Sequence, residues 1–291
     1  MLIRDKLERT VFPPSEQVIV EYLLKEQLNI EPKSTSQIAK ETFSSKSTIV
    51  KMAKRLKFSG WREFKTAYLE ELRYLARQQA TVDANYPFHE HDHYMAIAQK
   101  LARLEQEAIE ETLSLLQYQT LQQVVQLLSQ APAIHVFAVS NNLLITQEFR
   151  YNMERIKKRV YVHAVQGEGM YAATLMEPQE CALVISYSGE TESLLTNIKI
   201  LKKRGIPIIL ITSVGDNSMV RLANHVLRIS TRERLYSKIA TFANDSAITY
   251  LLDVLYGCVF QQKYQANADL RRQTSQIFEL RRQSEVEWLK E

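Results

Sequence analysis

The stretch Ile185–Leu195, "ISYSGETESLL", sets four Ser or Thr residues, a glycine and two acids between two apolar runs. Upstream, "CALVIS" (181–186) is a short apolar run that reads as a buried strand, while Leu194, Leu195, Ile198 and Leu201 downstream recur at helical spacing. The polar cluster therefore occupies a strand-to-helix turn. There the first helical N–H groups have no internal partner and carry partial positive charge. Ser186, Ser188 and Thr191 add hydroxyl donors, and Gly189 lets the backbone curl so that successive N–H groups converge. An anion fits such a turn, and phosphate fits best because it offers several acceptor oxygens at once. The competing reading is a helix cap, in which Ser188 or Thr191 satisfies the orphan N–H groups and holds no ligand.

The surrounding sequence predicts five strands, at 133–139, 159–165, 182–187, 207–212 and 225–229, separated by amphipathic helical segments. That alternation implies an α/β three-layer domain with a five-stranded parallel sheet covered on both faces. Ligands of such sheets sit beyond the carboxyl ends of the strands, where the turns 140–142 and 186–191 both fall. Ile248, Leu251, Leu252, Leu255 and Val259 form an apolar helical face suited to core or dimer contact. The tail 267–290 repeats charges around Ile277, Leu280 and Trp288, as a surface or partner-packing helix would.

A chain of 291 residues has room for two domains, and 45% hydrophobic with 24% charged residues is the composition of a globular protein. Cys181 and Cys258 each lie in an apolar run, as reduced, buried thiols do, so no disulfide framework is expected. The opening "MLIRDKLERT" lacks the apolar core of a signal peptide, and "IPIILITSV" (206–214) is too short for a membrane span. A cytoplasmic location with no membrane partner is the expectation. The net charge of +4 is uneven, because residues 1–77 hold 15 Lys or Arg against 10 Asp or Glu. A polyanion is the partner such a surface attracts.

The basic region has its own architecture. Residues 15–28 place Val18, Ile19, Tyr22, Leu23 and Leu28 in a helical pattern, and "STSQ" (34–37) has the form of a capping box with Gln37 reaching back to Ser34. "SSKSTIVKMAKRLKF" (44–58) then starts a further helix, capped by Ser44 or Ser45. Two short helices joined by a tight turn predict a helix-turn-helix within an all-α N-terminal domain. Ala39 is small where the helices cross, Ile38, Ile49, Met52 and Leu56 supply the shared core, and Phe43 occupies the turn position that favours glycine, a backbone cost that packing of its ring would offset. The expected DNA-binding residues are Ser45, Lys46, Ser47, Thr48, Lys51, Lys54 and Arg55. The hydroxyls would meet base edges or phosphates, and Lys51, Lys54 and Arg55 would neutralise phosphates of double-stranded operator DNA.

The run from Phe12 to Lys65, ending "KFSGWREFK" (57–65), resembles the N-terminal domain of RpiR-type transcriptional regulators, with Lys57 where the family has glycine. That family joins its helix-turn-helix to a sugar isomerase (SIS) domain, whose phosphosugar motif resembles "SYSGETES" (186–193). The resemblance implies a phosphorylated sugar effector held by Ser140, Ser186, Ser188, Gly189 and Thr191, and a homodimer or higher homo-oligomer formed through the SIS domain. In the first loop, Phe137–Asn142, the family serine is kept as Ser140, and Ala138 and Val139 stand where the family has glycines. Glu233 matches an acidic position that touches the sugar in related SIS proteins.

The implied organisation is a helix-turn-helix domain over 1–77, a linker over 78–94, the SIS domain over 95–265 and a helical tail over 266–291. His89, His91 and His93 alternate in that linker, but no second ligand cluster accompanies them, so neither a metal nor any other cofactor is expected. An isomerase would need a general base beside the phosphate, for which the chain offers Glu233, His225 or Glu192. A basic helix-turn-helix would be superfluous to such an enzyme. The leading expectation is a non-enzymatic regulator, with repression favoured by the resemblance; the alternatives are a regulator whose SIS domain only dimerises, and a sugar-phosphate isomerase.

Overall fold

The computed structural model describes residues 2–77, 81–165 and 167–278. Its N-terminal part is all helical: α1 (Ile3–Arg9), α2 (Pro14–Glu26) with a 3-10 turn at Gln27–Ile30, α3 (Thr35–Glu41), α4 (Lys46–Arg55) and α5 (Trp61–Arg77). Pro14 begins α2 at the first helical position, where its missing N–H costs nothing. At α3 the capping box forms as read, with Gln37 N–H donating to Ser34 Oγ (3.2 Å) and Ser34 N–H to Gln37 Oε1 (2.7 Å). For α4 the cap is Ser45, whose Oγ accepts from Thr48 N–H at 3.1 Å, and Ser44 lies outside the helix. Ile38, Ala39, Ile49, Met52 and Leu56 are all buried in one core with Leu23, Phe64 and Tyr68. The spacing of those residues thus locks α3 and α4 against α2 and α5.

Helices α6 (Tyr94–Leu115) and α7 (Tyr118–Gln130) lead into an α/β domain: β1 (Ala133–Phe137), α8 (Asn141–Glu154), β2 (Arg159–Val162), α9 (Glu168–Leu175), β3 (Cys181–Ile185), α10 (Glu192–Lys203), β4 (Ile208–Ser213), β5 (His225–Ile229) and α11 (Phe242–Gln261). All five strands are parallel, in the order β2-β1-β3-β4-β5, with Ile134 opposite Cys181 and Ala182 opposite Ile208. Side chains alternate between two buried faces. Val136, Leu183, Ile185 and Ile211 pack under α7, α8 and α11, while Phe137, Ala182, Val184 and Leu210 pack under α9 and α10. Burial on both faces explains why these strands read as continuous apolar runs. The apolar face of α11, including Ile248, Leu251 and Leu255, belongs to this core rather than to an exposed interface. Cys181 and Cys258 are both free thiols, and burial pushes the Cys181 thiol up to about 12. Helix α12 (Tyr264–Phe278) follows; the remainder of the charged tail lies outside the described residues.

Two details depart from the sequence reading. The segment expected as a linker is a docked strap between residues 81 and 93: Ala84 is buried with Leu104, Ala108 and Ala243, and Asn85 is 8% exposed. Its residues 78–80 lie outside the described set. Of its histidines, His93 caps α6, with Nδ1 accepting from Ala96 N–H at 3.2 Å. The second departure is Phe43. Its φ of +48° is the left-handed value expected at the turn, but the ring is 98% exposed, so packing does not offset the backbone cost. Lys57, at φ +68°, shows why the related position favours glycine.

Phe43→Gly should therefore stabilise the protein by about 0.5 kcal/mol, the left-handed penalty less the entropy of a glycine in the unfolded chain. Chemical unfolding of the two proteins side by side measures it. A loss of stability would mean that the exposed ring makes a stabilising contact.

Candidate functional site

Between β1 and β3 the strand order reverses, because β2 lies on one side of β1 and β3 on the other. Loops leaving the two strands in opposite directions open a crevice at their carboxyl ends. A cavity of about 190 Å³ occupies that position, lined by Ser140, Ser186, Ser188, Thr191, Lys238 and Asn244 among others. Four of the hydroxyl residues singled out in the sequence thus meet in one place.

The loop after β3 is shaped by its own side chains. Ser186 is buried, its Oγ accepts from Gly189 N–H at 3.2 Å and it lies 3.4 Å from Thr191 Oγ1. Ser188 Oγ accepts from Glu190 N–H at 3.2 Å. Each oxygen accepts a hydrogen bond from a backbone N–H, which leaves its own O–H to donate. Gly189 has φ +64°, and a Cβ there would lie 2.0 Å from Asn217 Cγ, so backbone conformation and space both require glycine. On the far side, Glu190 Oε1 accepts from Ser218 N–H at 2.8 Å, tying this loop to the one after β4.

Three helices start at the cavity, and their N-cap residues are Ser140 for α8, Thr191 for α10 and Thr241 for α11. All three line it, and none makes the side-chain bond that an N-cap residue ordinarily makes. The helix-cap reading of Thr191 therefore fails: Thr191 stands at the cap position without capping. Ser140 also holds a φ of +55°, a value costly for a residue with a Cβ. Three helix N-termini, each with its partial positive charge, converge on four hydroxyls.

Lys238 completes the cradle and has no signature in the local sequence. Its ammonium lies 2.9 Å from Glu233 Oε2 and over the Tyr187 ring, 5.7 Å from the centroid. Glu233, expected against the ligand, is instead consumed internally: its other oxygen accepts Asn244 N–H at 2.9 Å, in the first turn of α11. It positions Lys238 and does not line the cavity. Asp245 does line it. Burial holds its carboxyl above the usual carboxylate range, against the lowering effect of Thr241 Oγ1 (2.7 Å) and Asn141 Nδ2 (2.6 Å). Thr241, Asn244 and Asp245 were not singled out in the sequence, and no capping box marks this helix start, because the residue three after Thr241 is Asn244 rather than Glu or Gln.

On the N-terminal domain, Ser45, Lys46, Ser47, Lys51 and Lys54 are exposed on α4 and Thr48 is half-buried beside them. Ser45 Oγ holds Ser47 Oγ at 2.6 Å and Thr48 Oγ1 at 2.8 Å, so the first turn presents a cluster of hydroxyls. Arg55 is engaged elsewhere: its Nε and Nη2 donate to Glu16 at 2.7 and 3.2 Å, and Glu16 is buried. That bidentate pair anchors α4 on α2 and engages Arg55, which the sequence reading leaves free for a phosphate.

A family model described as a helix-turn-helix domain of the rpiR family matches residues 2–74, and a model of the SIS domain matches residues 127–255. Among solved structures, the Vibrio vulnificus NanR protein complexed with ManNAc-6P is similar over 97% of this chain and 98% of that one, at 18% identity and a TM-score of 0.60. The sugar isomerase domain of an RpiR transcription factor from Sphaerobacter thermophilus matches with 13% identity and a TM-score of 0.55, over 62% of this chain and 98% of that one. At these identities the solved structures speak to the fold, and the two family models speak to descent. The chain belongs to the RpiR family of transcription regulators, a helix-turn-helix domain followed by a SIS domain.

Proposed function

We propose that this regulator binds operator DNA through α4 as a homodimer, that a sugar phosphate in the cradle between β1 and β3 changes its operator affinity, and that its action is repression in the cytoplasm. The observation that carries the effector reading is the convergence on one cavity of three helix N-termini, of which α8 and α10 are uncapped and α11 is capped by Glu233, together with Lys238. A phosphate dianion uses every part of that arrangement. Hydroxyls of Ser140, Ser186, Ser188 and Thr191 donate to its oxygens, first-turn amides add further N–H groups, and Lys238 supplies the countercharge. The ligand of the similar Vibrio vulnificus structure, ManNAc-6P, supports a phosphorylated sugar as the class.

The reading is regulatory rather than catalytic. Glu233, the best isomerase base in the sequence, has both oxygens committed to Lys238 and to α11. A base must be free to reach the proton it removes. Among the described residues, no helix is long and apolar enough to cross a membrane.

Coupling between ligand and DNA runs through the segment from 230 to 241, which carries Lys238 and Glu233. On its far side Asn85 of the strap holds it at three points: Oδ1 accepts Arg234 N–H (2.7 Å), the carbonyl accepts Ile239 N–H (2.9 Å), and Nδ2 donates to the Arg232 carbonyl (3.4 Å). Tyr74 of α5 accepts Thr231 N–H at 2.6 Å. A second route joins the same two bodies, because Asp216 binds Lys6 of α1 at 2.7 Å while its neighbour Asn217 packs on Gly189. An effector that reseats Lys238 therefore acts on groups that also hold the DNA-binding domain. To change operator affinity it must bind the two arrangements with different affinity. In the dimer, two α4 helices about 34–36 Å apart would read adjacent half-sites.

Ser188→Ala tests the cradle. Operator binding without effector should stay near normal while the response to sugar phosphate disappears; Gly189→Ala should abolish the response and lower the melting temperature as well. A Ser188→Ala protein with a full response would overturn the assignment. Lys51→Ala should weaken operator binding across sequences and reduce the salt slope by about one phosphate contact, and an unchanged slope in a salt titration would refute that role. Asn85→Ala should leave effector affinity within about threefold of the parent while shrinking its effect on DNA affinity. Full coupling in that variant, by fluorescence anisotropy, would exclude the strap as the link.

A further inference from the structure

A second cavity, of about 630 Å³, adjoins the cradle and shares Val139 and Ser140 with it. Its apolar lining comes from residues such as Leu143, Met170 and Leu194, and its polar lining from His163, Glu192 and Asn197. Asn197 is the informative residue. It sits on α10 with only 7% of its surface exposed, and its amide lines the cavity without being one of the buried polar atoms left unpartnered. An amide at the wall of a cavity offers both a donor and an acceptor to whatever enters it. The packing is built around it: α9 meets α10 at Gly169, where a Cβ would lie 2.8 Å from Asn197 Nδ2. A side chain at 169 would push the amide out of its place.

His163 faces the same cavity from the end of β2. One ring nitrogen lies 3.0 Å from His135 Nδ1, and His135 Nε2 lies 3.6 Å from Glu180. The ring is thereby held in orientation while its other nitrogen is left over. Burial lowers the pKa of both imidazoles, which keeps His163 neutral and able to donate to or accept from a hydroxyl. Among the described residues, no Lys or Arg lines this cavity, and Glu192 is the one charged residue that does. A second anionic group on a ligand would meet a carboxylate with no cation to balance it.

We propose that this cavity receives the uncharged body of the effector, with Asn197 and His163 reading its hydroxyl groups, so that the effector is a sugar monophosphate and neither a sugar bisphosphate nor a phosphorylated sugar acid. This rests on the cradle holding the phosphate, and it adds which class of sugar phosphate is accepted and which residues choose it. Both cavities border Ser140, so one ligand bonded to Ser140 through its phosphate extends from the first into the second.

The test is a thermal-shift and calorimetric titration of the full chain against inorganic phosphate, a panel of hexose and pentose monophosphates, hexose bisphosphates and a phosphorylated aldonic acid. A monophosphate should raise the melting temperature, and the bisphosphates and the acid should not. Asn197→Ala and Gly169→Ala should each weaken the best monophosphate about tenfold, the size of one lost hydrogen bond to a neutral group, with inorganic phosphate binding unchanged. Asn197→Asp keeps the shape and should lose affinity in the same way, which guards against a variant that merely fails to fold. Equal binding of bisphosphate and monophosphate, or a monophosphate affinity untouched by all three variants, overturns the inference and leaves the cradle standing. No shift with any compound overturns the cradle and this inference together.

Discussion

The constraint on which the rest depends is the reversal of strand order between β1 and β3. In a parallel sheet every strand delivers its following loop to the same edge, and only at a reversal do two adjacent loops diverge and leave room between them. Here those loops end in Ser140 and Thr191, each at the start of a helix, and α11 adds a third helix start from the neighbouring side. Partial charges that would be dispersed around the edge of a different topology are brought to one point. The hydroxyl cluster and Lys238 line that same point, which is the basis for proposing an anion with several oxygens as its ligand.

Lys238 shows how charge is managed in such a site. A lysine beside three helix N-termini would meet like partial charge, yet Glu233 lies beneath it, buried and bonded to an α11 amide. The pair keeps the ammonium oriented without neutralising its outer face. Glu233 and Lys238 belong to the segment held by Asn85 and Tyr74, so a ligand charge bound as proposed would bear on a part of the chain in contact with the DNA-binding domain. Asp216 offers a parallel connection, since it salt-bridges Lys6 while the residue after it fills the space beside Gly189.

The parts legible in the sequence were those governed by near neighbours. The capping box at Ser34, the period of Ile38, Ile49 and Met52, the left-handed turn at Phe43 and the buried strands all follow from residues within one helical turn or one strand of each other. The hydroxyls of the cradle were legible for the same reason, Ser140 marking the start of α8 and Ser186, Ser188 and Thr191 the turn into α10. What escaped was set by distant partners. Arg55 reads as a free cation until Glu16, 39 residues away, is placed beside it, and Asn85 reads as linker until its bond to Arg234, 149 residues away, is known. Lys238 and Glu233 are only five residues apart, but their role depends on β3 and α11 arriving at the same edge. Ion pairs carry no period, so pattern alone does not assign them.

Linkage between the two ends of the chain is the central claim, and reciprocity tests it most directly. The measurement is the dissociation constant of a sugar monophosphate for the full-length protein, taken with and without a saturating DNA fragment selected from a random pool, beside the DNA dissociation constant with and without that sugar phosphate. Coupling through the strap predicts that DNA changes effector affinity by the same factor by which effector changes DNA affinity, between about five- and 150-fold. Two affinities that are each independent of the other ligand would contradict it and leave a DNA-binding protein whose cradle does not report to its helix-turn-helix.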